Sequence, residues 1–559
     1  MKPLCFSFIP AHPNRAAKLV LAWLLLLAAT CPALAQRIGA TVDESNVQAT
    51  YYVKPGGSDA NSGLTAELAV ANLGNAVDKA KNGPLSQGRK TKIVVAAGTY
   101  ACDNVWAVSW PGQGRGTVLI IEGAAENQVI LRAGNSQVLS VQQKDNLVIR
   151  NLVFVGGSAN GSLWGGMYHP FAEVREHDWL VDQCHFKDAV TNGFLPQGID
   201  NLTVQNCTFT NNRKSGLDYI GRYGKFVNLT ATGNGSASGD VPGIGFAGFN
   251  CSFDNITASD NRGPGFRMDH ACENVTISNS KFERNGVHGL RFETCVGPVL
   301  LKNCLSANNK EAGLILITAH GVTVDGCRFV DNGESQVLIH PMDRSYFVQP
   351  DGYMAGNLNI RSWMGVKPMV WVKNTKVINS TFCVTQPGST AKIYKRLYET
   401  SHIEYAKWFK DEYQGSNNKY TAPSGGATAF DVSVLYFERD RTYADLVRWQ
   451  RDTGEDANST FSATCAGATA LPTTAAAEQA GFSLYPNPAQ NQLTVELPAG
   501  GETAQLRVVD AAGRLVLRQA VPAGARRHTL ALPASLAPGL YLLRLDQGRR
   551  HLTQRFARE

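Results

Sequence analysis

From Asn201 to His340 apolar and polar residues alternate in short runs, and the runs return about every 23 residues. Each unit holds a pair of alternating stretches around an Asn, as in NLTVQNCTF, KFVNLTATGN, SFDNITASDN, NVTISNSKF, VLLKNCLSANN and VTVDGCRFVDN. A third stretch follows: GLDYI, GIGFA, GFRMD, GLRFE, GLILI and QVLIH. Alternation is the strand period, so the pattern predicts two or three short strands per unit, whereas a helical array would repeat at 3.6. Asn206, Asn228, Asn255, Asn279 and Asn303 recur at one place in the unit. A chain corner there needs a residue that accepts left-handed φ and can hydrogen-bond its neighbour in the next unit.

Strands this short cannot pair within one unit, so the backbone is satisfied only if successive units stack as parallel coils around an apolar column. The expected fold is all-β: a right-handed single-stranded parallel β-helix over residues 51–459, followed by a small antiparallel β-sandwich. Aligning the third stretches puts Leu217, Ile244, Phe266, Leu290, Leu314 and Val337 in one inward column, with Tyr219, Phe246, Met268, Phe292, Leu316 and Ile339 in the next. The outward columns then read Asp218, Gly245, Arg267, Arg291, Ile315, Leu338 and Ile220, Ala247, Asp269, Glu293, Ile317, His340.

Ahead of the repeats, Leu68, Leu73, Ala76, Val77 and Ala80 predict a short helix that caps the open end of the solenoid. At the far end Thr442 is the expected N-cap of an amphipathic helix in YADLVRWQRDTGEDANS, covering the last coil. Residues 1–35 read as a secretory signal: Lys2, Arg15 and Lys18 precede LVLAWLLLLAAT, and Ala33-Leu34-Ala35 offers small residues for cleavage. The apolar run is shorter than the roughly 20 residues that a membrane span requires, and no span is expected in the mature chain. Residues 36–50 form an N-terminal segment, and residues 460–482 a low-complexity Ala- and Thr-rich linker.

Residues 483–559 alternate apolar and polar residues between Gly, Pro and Asn punctuation, as a compact sandwich would. Tyr485-Pro486-Asn487-Pro488, Asp510 with Gly513-Arg514, and Gly539-Leu540-Tyr541 make this unit similar, in order and spacing, to the type A sorting domain of type IX secretion substrates. The resemblance implies passage through the type IX machinery of a gliding-type bacterium, tail removal, and a product secreted or held at the outer-membrane surface. Likewise YYVKPGGSDANSGLTAE leading to VAAGTY resembles the opening of many extracellular β-helix (pectate-lyase-like) carbohydrate-active proteins. It implies an extracellular polysaccharide as partner.

The formal charge of +7 comes from the ends: residues 1–35 hold three Lys or Arg and no acid, and residues 483–559 hold ten Arg against five acids. The middle is nearly neutral, which argues against nucleic-acid binding. A monomer is expected. Cys184 with Cys207 and Cys304 with Cys327 fall at equivalent inward positions, read as small apolar rungs. Cys272 and Cys295 sit one coil apart, within bridging reach.

Charge on the outward columns concentrates on two coils, where Arg267 stacks on Arg291 and Asp269 on Glu293. Like charges directly across a pair repel, so a purely structural face would favour opposite charges there; the structural alternative is a solvated face on which diagonal Arg267–Glu293 and Asp269–Arg291 pairs neutralise each other. The small Gly245, Ala247 and Gly248 beside them are expected to leave a groove. The leading expectation is a polysaccharide lyase or epimerase acting on a uronate polymer. Arg267 and Arg291 would neutralise the sugar carboxylate, and His270 would take the α proton. Asp218, His288 and His340 would contact substrate, and Asp269 and Glu293 would hold Ca2+. Alternatives are a glycoside hydrolase using Asp269 and Glu293, or Asp218 with Asp269, as its carboxylate pair, and a non-catalytic glycan-binding adhesin.

Overall fold

The computed structural model describes residues 38–340 apart from gaps at 103–104, 109–116, 135, 143–144, 158–161, 167–175, 237–239, 270–271 and 318. Beyond 340 it describes 374–385, 392–398, 413–421, 430–434, 441–443, 445–462, 465 and most of the strands between 483 and 558. The proposed signal lies outside the described residues, and so does most of the proposed linker, of which Thr460–Ser462 is a strand of the solenoid and Cys465 is disulfide-bonded to it.

The chain winds as a right-handed parallel β-helix whose strands fall into three sheets. The first runs from Thr91–Val95 through Leu147–Arg150, Glu273–Ser278 and Val322–Asp325 to Tyr413–Ser416. The second passes through Val153–Gly156, His185–Lys187, Thr208–Thr210 and Lys281–Glu283 to Thr460–Ser462. The third includes Leu217–Arg222, Phe266–Met268, Leu290–Glu293, Ala312–Ile317 and Ser335–His340. Every pairing named here is parallel and between successive coils, so each coil's backbone is satisfied by its neighbours.

All twelve residues of the two inward columns are buried. The second sheet adds a stack of rings: Phe154 on Phe186 at 4.8 Å, Phe186 on Phe209 at 5.2 Å and, further on, Phe329 on Phe382 at 5.2 Å. The corner asparagines stand as expected, with Asn206, Asn228, Asn255, Asn279 and Asn303 at φ 54°, 56°, 53°, 51° and 53°. Asn228 Nδ2 donates to Asn206 Oδ1 at 2.9 Å and Asn255 Nδ2 to Asn228 Oδ1 at 2.8 Å, binding coil to coil at the surface.

A second asparagine ladder is internal. Asn212, Asn234, Asn261, Asn285, Asn309 and Asn332 are fully buried, each at the turn between the second and third sheets. The backbone N–H of Asn212 donates to Asn234 Oδ1 at 3.1 Å, that of Asn234 to Asn261 Oδ1 at 3.0 Å, and that of Asn261 to Asn285 Oδ1 at 3.1 Å. Each Nδ2 also donates to a carbonyl of the coil before, as Asn261 does to Ala231 O at 3.0 Å. The ladder satisfies turn groups that burial would otherwise leave bare.

Both ends are closed. At the start, helix Leu73–Asn82 buries Leu73, Ala76, Val77 and Ala80, while Leu68 precedes the helix and is exposed. At the other end the helix spans Leu446–Thr453 and Asp445 is its cap, accepting from Arg448 N at 2.8 Å. Thr442 is not the cap. It sits in strand Arg441–Tyr443, antiparallel to Phe430–Val434, and the helix begins only after it. Buried Trp449 donates its Nε1 to the buried Asp456 at 3.0 Å, and that carboxylate also accepts from Asn418, Tyr420 and Ser459. A disulfide joins Cys383 to Cys465.

Residues 38–48 lie along the outside of the first sheet, crossing coils in reverse order. Gly39 N donates to Tyr223 O at 2.7 Å, Ala40 N to Thr203 Oγ1 at 2.8 Å and Thr41 N to Asp178 Oδ1 at 3.2 Å, and Glu44 pairs with Arg150. Val42 and Val47 pack on Val118, Ile120 and Val148, outward residues that would otherwise meet water.

The C-terminal strands form two antiparallel sheets: Ser483–Tyr485, Gln492–Glu496 and Arg527–Ala531 in one, and Ala504–Val509, Leu515–Val521, Gly539–Gln547 and Arg550–Arg558 in the other. Leu493, Val495 and Leu530 from the first meet Leu506, Val508, Leu543, Leu545 and Phe556 from the second in a separate core.

Candidate functional site

Backbone pairing fixes the outward face of the third sheet. Asp218 stands beside Gly245, Gly245 beside Arg267, Arg267 beside Arg291, and Arg291 beside Ile315. Glu293 is beside Ile317, which is beside His340. Strand alternation therefore brings Asp218, Arg267, Asp269, Arg291, Glu293 and His340 onto one face, all but Glu293 partly exposed.

The charges do not pair diagonally. Arg267 Nη2 meets Asp269 Oδ2 at 3.4 Å and Arg291 Nη2 meets Glu293 Oε2 at 2.8 Å, each within its own strand. Residues two apart in a strand share a face, so an Arg can fold along its strand onto the next outward carboxylate. Both guanidinium groups also converge on Asp240, in the segment leading to Gly245: Arg291 Nη1 lies 2.7 Å from Asp240 Oδ1, and Arg267 Nη1 donates to Asp240 O at 2.9 Å. Burial works against the charge on Arg291, but Glu293 and then Asp240 outweigh it and hold its pKa above the ordinary value.

The expected groove at Gly245, Ala247 and Gly248 is absent, because all three are buried. A side chain at Gly245 would meet Asp218 Oδ1 at 2.6 Å, so Asp218 fills the space that the glycine vacates. On the other side Ile315, Ile317 and Leu338 form a buried apolar cluster on what is nominally the outer surface. The charged pair of coils is thus bounded by covered surface before and after it.

His288 does not join the face. It is 6% exposed, its Nδ1 accepts the Ala312 N–H at 3.2 Å and its Nε2 lies 3.4 Å from Glu311 Oε2. With Nδ1 accepting, the neutral ring carries its proton on Nε2 and points it at Glu311. Burial first, and Arg291 second, push its pKa down from 6.5 to about 3. A His that stays neutral when folded and takes a proton when unfolded stabilises the fold above the unfolded value and loses that stabilisation as pH falls through it. Stability should therefore decline from about pH 6.5 towards pH 3, with about 5 kcal/mol as the upper bound for this one group. Denaturant midpoints against pH, for the protein and for His288→Gln, check this: the variant's curve should be flatter, and parallel curves would remove His288 as the cause.

His270 lies outside the described residues. Asp269 and Glu293 are the residues expected to hold Ca2+. Each faces the Arg of its own strand, Asp269 also accepts from Thr294 Oγ1 at 3.1 Å, and among the described residues no three His, Cys, Asp or Glu side chains are grouped to hold a metal. The cysteines at Cys184, Cys207, Cys272, Cys295, Cys304 and Cys327 are buried free thiols, with no bridge between Cys272 and Cys295.

Two family models match. Residues 172–329 match the right-handed β-helix region, and residues 483–558 match the secretion system C-terminal sorting domain. The tail directs the chain to the type IX secretion system, and the protein is secreted or attached at the cell surface. No curated protein matches the sequence. Among solved structures, the A-module of the mannuronan C-5 epimerase AlgE4 of Azotobacter vinelandii is similar at 15% identity and TM-score 0.45, covering 70% of this chain and 96% of that one. A structure described as XylC in complex with xylose is similar at 9% identity and TM-score 0.45, covering 89% and 100%. The pectate lyase Pel9A follows at 14% identity and TM-score 0.34, covering 67% and 80%.

Proposed function

We propose that the chain is a carbohydrate-active enzyme that takes a uronate-containing polysaccharide across the outer face of the third sheet, as a lyase or an epimerase. One observation carries the reading: Arg267 and Arg291, in register on adjacent coils, both turn a guanidinium N–H to Asp240. Asp240 is 72% exposed and its ion pair lies at the surface, so it is weakly held and a substrate carboxylate can take its place. Arg291 reaches the Asp240 carboxylate and Arg267 its backbone carbonyl, so the two guanidinium groups lie near enough for both to turn to one substrate carboxylate, which is the charge stabilisation that removal of the α proton demands.

In this reading Asp269 and Glu293 orient the arginines instead of holding a metal. Asp218, beside Gly245 on the same face, is the proposed contact with the polymer's hydroxyls, whereas His340 lies beyond the covered Ile315, Ile317 and Leu338 and is assigned none. His288 supports the strand entry from inside. His270, adjacent in sequence to Asp269, is the proposed base. It takes the proton from the carbon bearing the carboxylate. In a lyase the freed electron pair forms a carbon–carbon double bond, the glycosidic oxygen leaves and is protonated. In an epimerase a proton returns from the opposite face of the ring.

Each carboxylate of the Asp269 and Glu293 pair is engaged by a guanidinium, which leaves neither presented as the proton donor a glycosidase needs. A glycan-binding surface without catalysis is the second reading. It is favoured by the three carboxylates, Asp240, Asp269 and Glu293, that already neutralise two arginines.

The test is to incubate the secreted protein with alginates, pectates and neutral polymers, following ultraviolet absorbance for an unsaturated product, reducing ends, and NMR for inverted uronates. Absorbance or inversion with a uronate polymer is expected. Reducing ends without absorbance would establish a hydrolase, and binding without any product would establish the non-catalytic surface.

A further inference from the structure

The outer face of the second sheet carries a hollow of about 290 Å3, away from the charged coils of the third. Ile130, Val153, His185 and Thr208 follow one another in register on four successive coils, and Lys187 and Thr210 stand two residues further along the last two. All six line the hollow.

Its polar groups are incompletely used. His185 Nδ1 lies 2.6 Å from Thr208 Oγ1, but Nε2 is enclosed and makes no hydrogen bond. Glu126 Oε1 is 3.5 Å from that nitrogen, without hydrogen-bond geometry. Because Nε2 is closed off beside Glu126, a ligand in the hollow meets the ring of His185 and not this nitrogen.

The hollow opens onto two rows of hydroxyls. Thr208, Thr230 and Thr257 are paired in register, as are Thr210, Thr232 and Ser259, on three consecutive coils. Neighbours in a row are about 4.8 Å apart, and the rows are about 6.6 Å apart, two residues along the strand. Ser259 is buried and closes the second row, so the exposed hydroxyls are those of the threonines. This face presents methyl groups and hydroxyls side by side; Lys187 is the charged residue in the lining of the hollow, and Glu126, beside His185, is of opposite sign. An anion gains little there. A sugar ring, apolar on its faces and hydroxylated at its rim, matches Ile130 and Val153 together with the hydroxyl rows.

We propose that this face is a second saccharide-binding site, for an uncharged glycan chain, with one sugar in the hollow and the chain continuing over the threonine rows. It does not depend on the uronate chemistry assigned to the third sheet.

The test is calorimetric titration of the full secreted chain with gluco-, xylo- and manno-oligosaccharides of increasing length. At least one series should bind, with affinity rising with length. His185→Ala should lower that affinity at least tenfold. Thr230→Val, at an exposed position where the fold is not at risk, should abolish the gain with length. Arg267→Ala should leave neutral-sugar binding unchanged. No binding of any neutral series up to millimolar concentration overturns the proposal, as does binding that neither variant weakens. Ice-crystal shaping without saccharide binding would also overturn it, assigning the hydroxyl rows to ordered water.

Discussion

Replacing Asn261 by Ala should lower the free energy of unfolding by about 3 to 6 kcal/mol, a large fraction of the stability of an ordinary domain. The side chain accepts from Asn234 N at 3.0 Å and Asn234 Nδ2 at 3.1 Å, and donates to Ala231 O and Asn285 Oδ1, both at 3.0 Å. Its loss leaves the Asn234 N–H bare inside the solenoid, strands Asn285 Oδ1 of one donor and takes one donor from the Ala231 carbonyl. Each buried unpaired group costs about 1 to 3 kcal/mol, and the small cavity adds to that. Asn261→Asp should be worse still, since an acceptor would then face the Ala231 carbonyl and Asn285 Oδ1. Asn255→Ala is the control. Asn255 belongs to the exposed ladder, and its loss gives up one solvent-facing hydrogen bond plus about 1 to 2 kcal/mol for placing Ala at left-handed φ. Equal chemical-denaturation midpoints for Asn261→Ala and Asn255→Ala would show that the internal ladder is not what holds the coils in register.

The contrast between these ladders marks what the sequence made legible. The exposed corner asparagines were readable because their left-handed φ is a local demand that few residues meet, and the demand recurs once per coil. The internal asparagines follow close behind, in pairs such as Asn211-Asn212, Asp260-Asn261 and Asn308-Asn309, and read as more turn polarity. Only the stacking of coils reveals that the second residue of each pair points inward. The inward and outward columns of the third sheet were readable for the same reason as the corners: alternation is fixed by the backbone, and burial follows from it.

What failed was whatever depends on side-chain reach. Gly245 suggested an opening, but a neighbouring Asp218 is long enough to fill it. Cα positions alone suggest diagonal ion pairs as the structural alternative to a substrate site, yet an Arg side chain reaches along its own strand as easily as across two. Asp240 was invisible as a partner because it lies between strands, where the repeat gives no alignment. The same holds for residues 38–48. Val42 and Val47 look unremarkable alone, and only the outward apolar residues Val118, Ile120 and Val148 show that a covering segment is needed. Thr442 was a chemically sound cap at the wrong place, since pairing with Phe430–Val434 keeps it extended and hands the role to Asp445.

Asp240 also makes the charged coils testable in both directions. Arg267→Ala should weaken binding of a uronate polymer about 10- to 100-fold, the loss expected of a charge-assisted hydrogen bond worth about 1.5 to 3 kcal/mol. Its effect on stability should be small, because its ion pair with Asp269 is long, 3.4 Å, and partly exposed. Arg291→Ala should weaken binding comparably and also destabilise the fold by about 1 to 3 kcal/mol, since it strands the buried Glu293. Asp240→Asn is the discriminating variant. If Asp240 occupies the seat of the substrate carboxylate, removing its charge should tighten uronate binding, and the gain should shrink in high salt as the attraction between guanidinium and carboxylate is screened. If Asp240 instead serves to orient the two arginines, Asp240→Asn should weaken binding like the Arg variants. Affinities for uronate oligomers at two salt concentrations separate these outcomes. Should all three variants bind as the unaltered protein does, the charged coils are ordinary surface and the uronate reading falls.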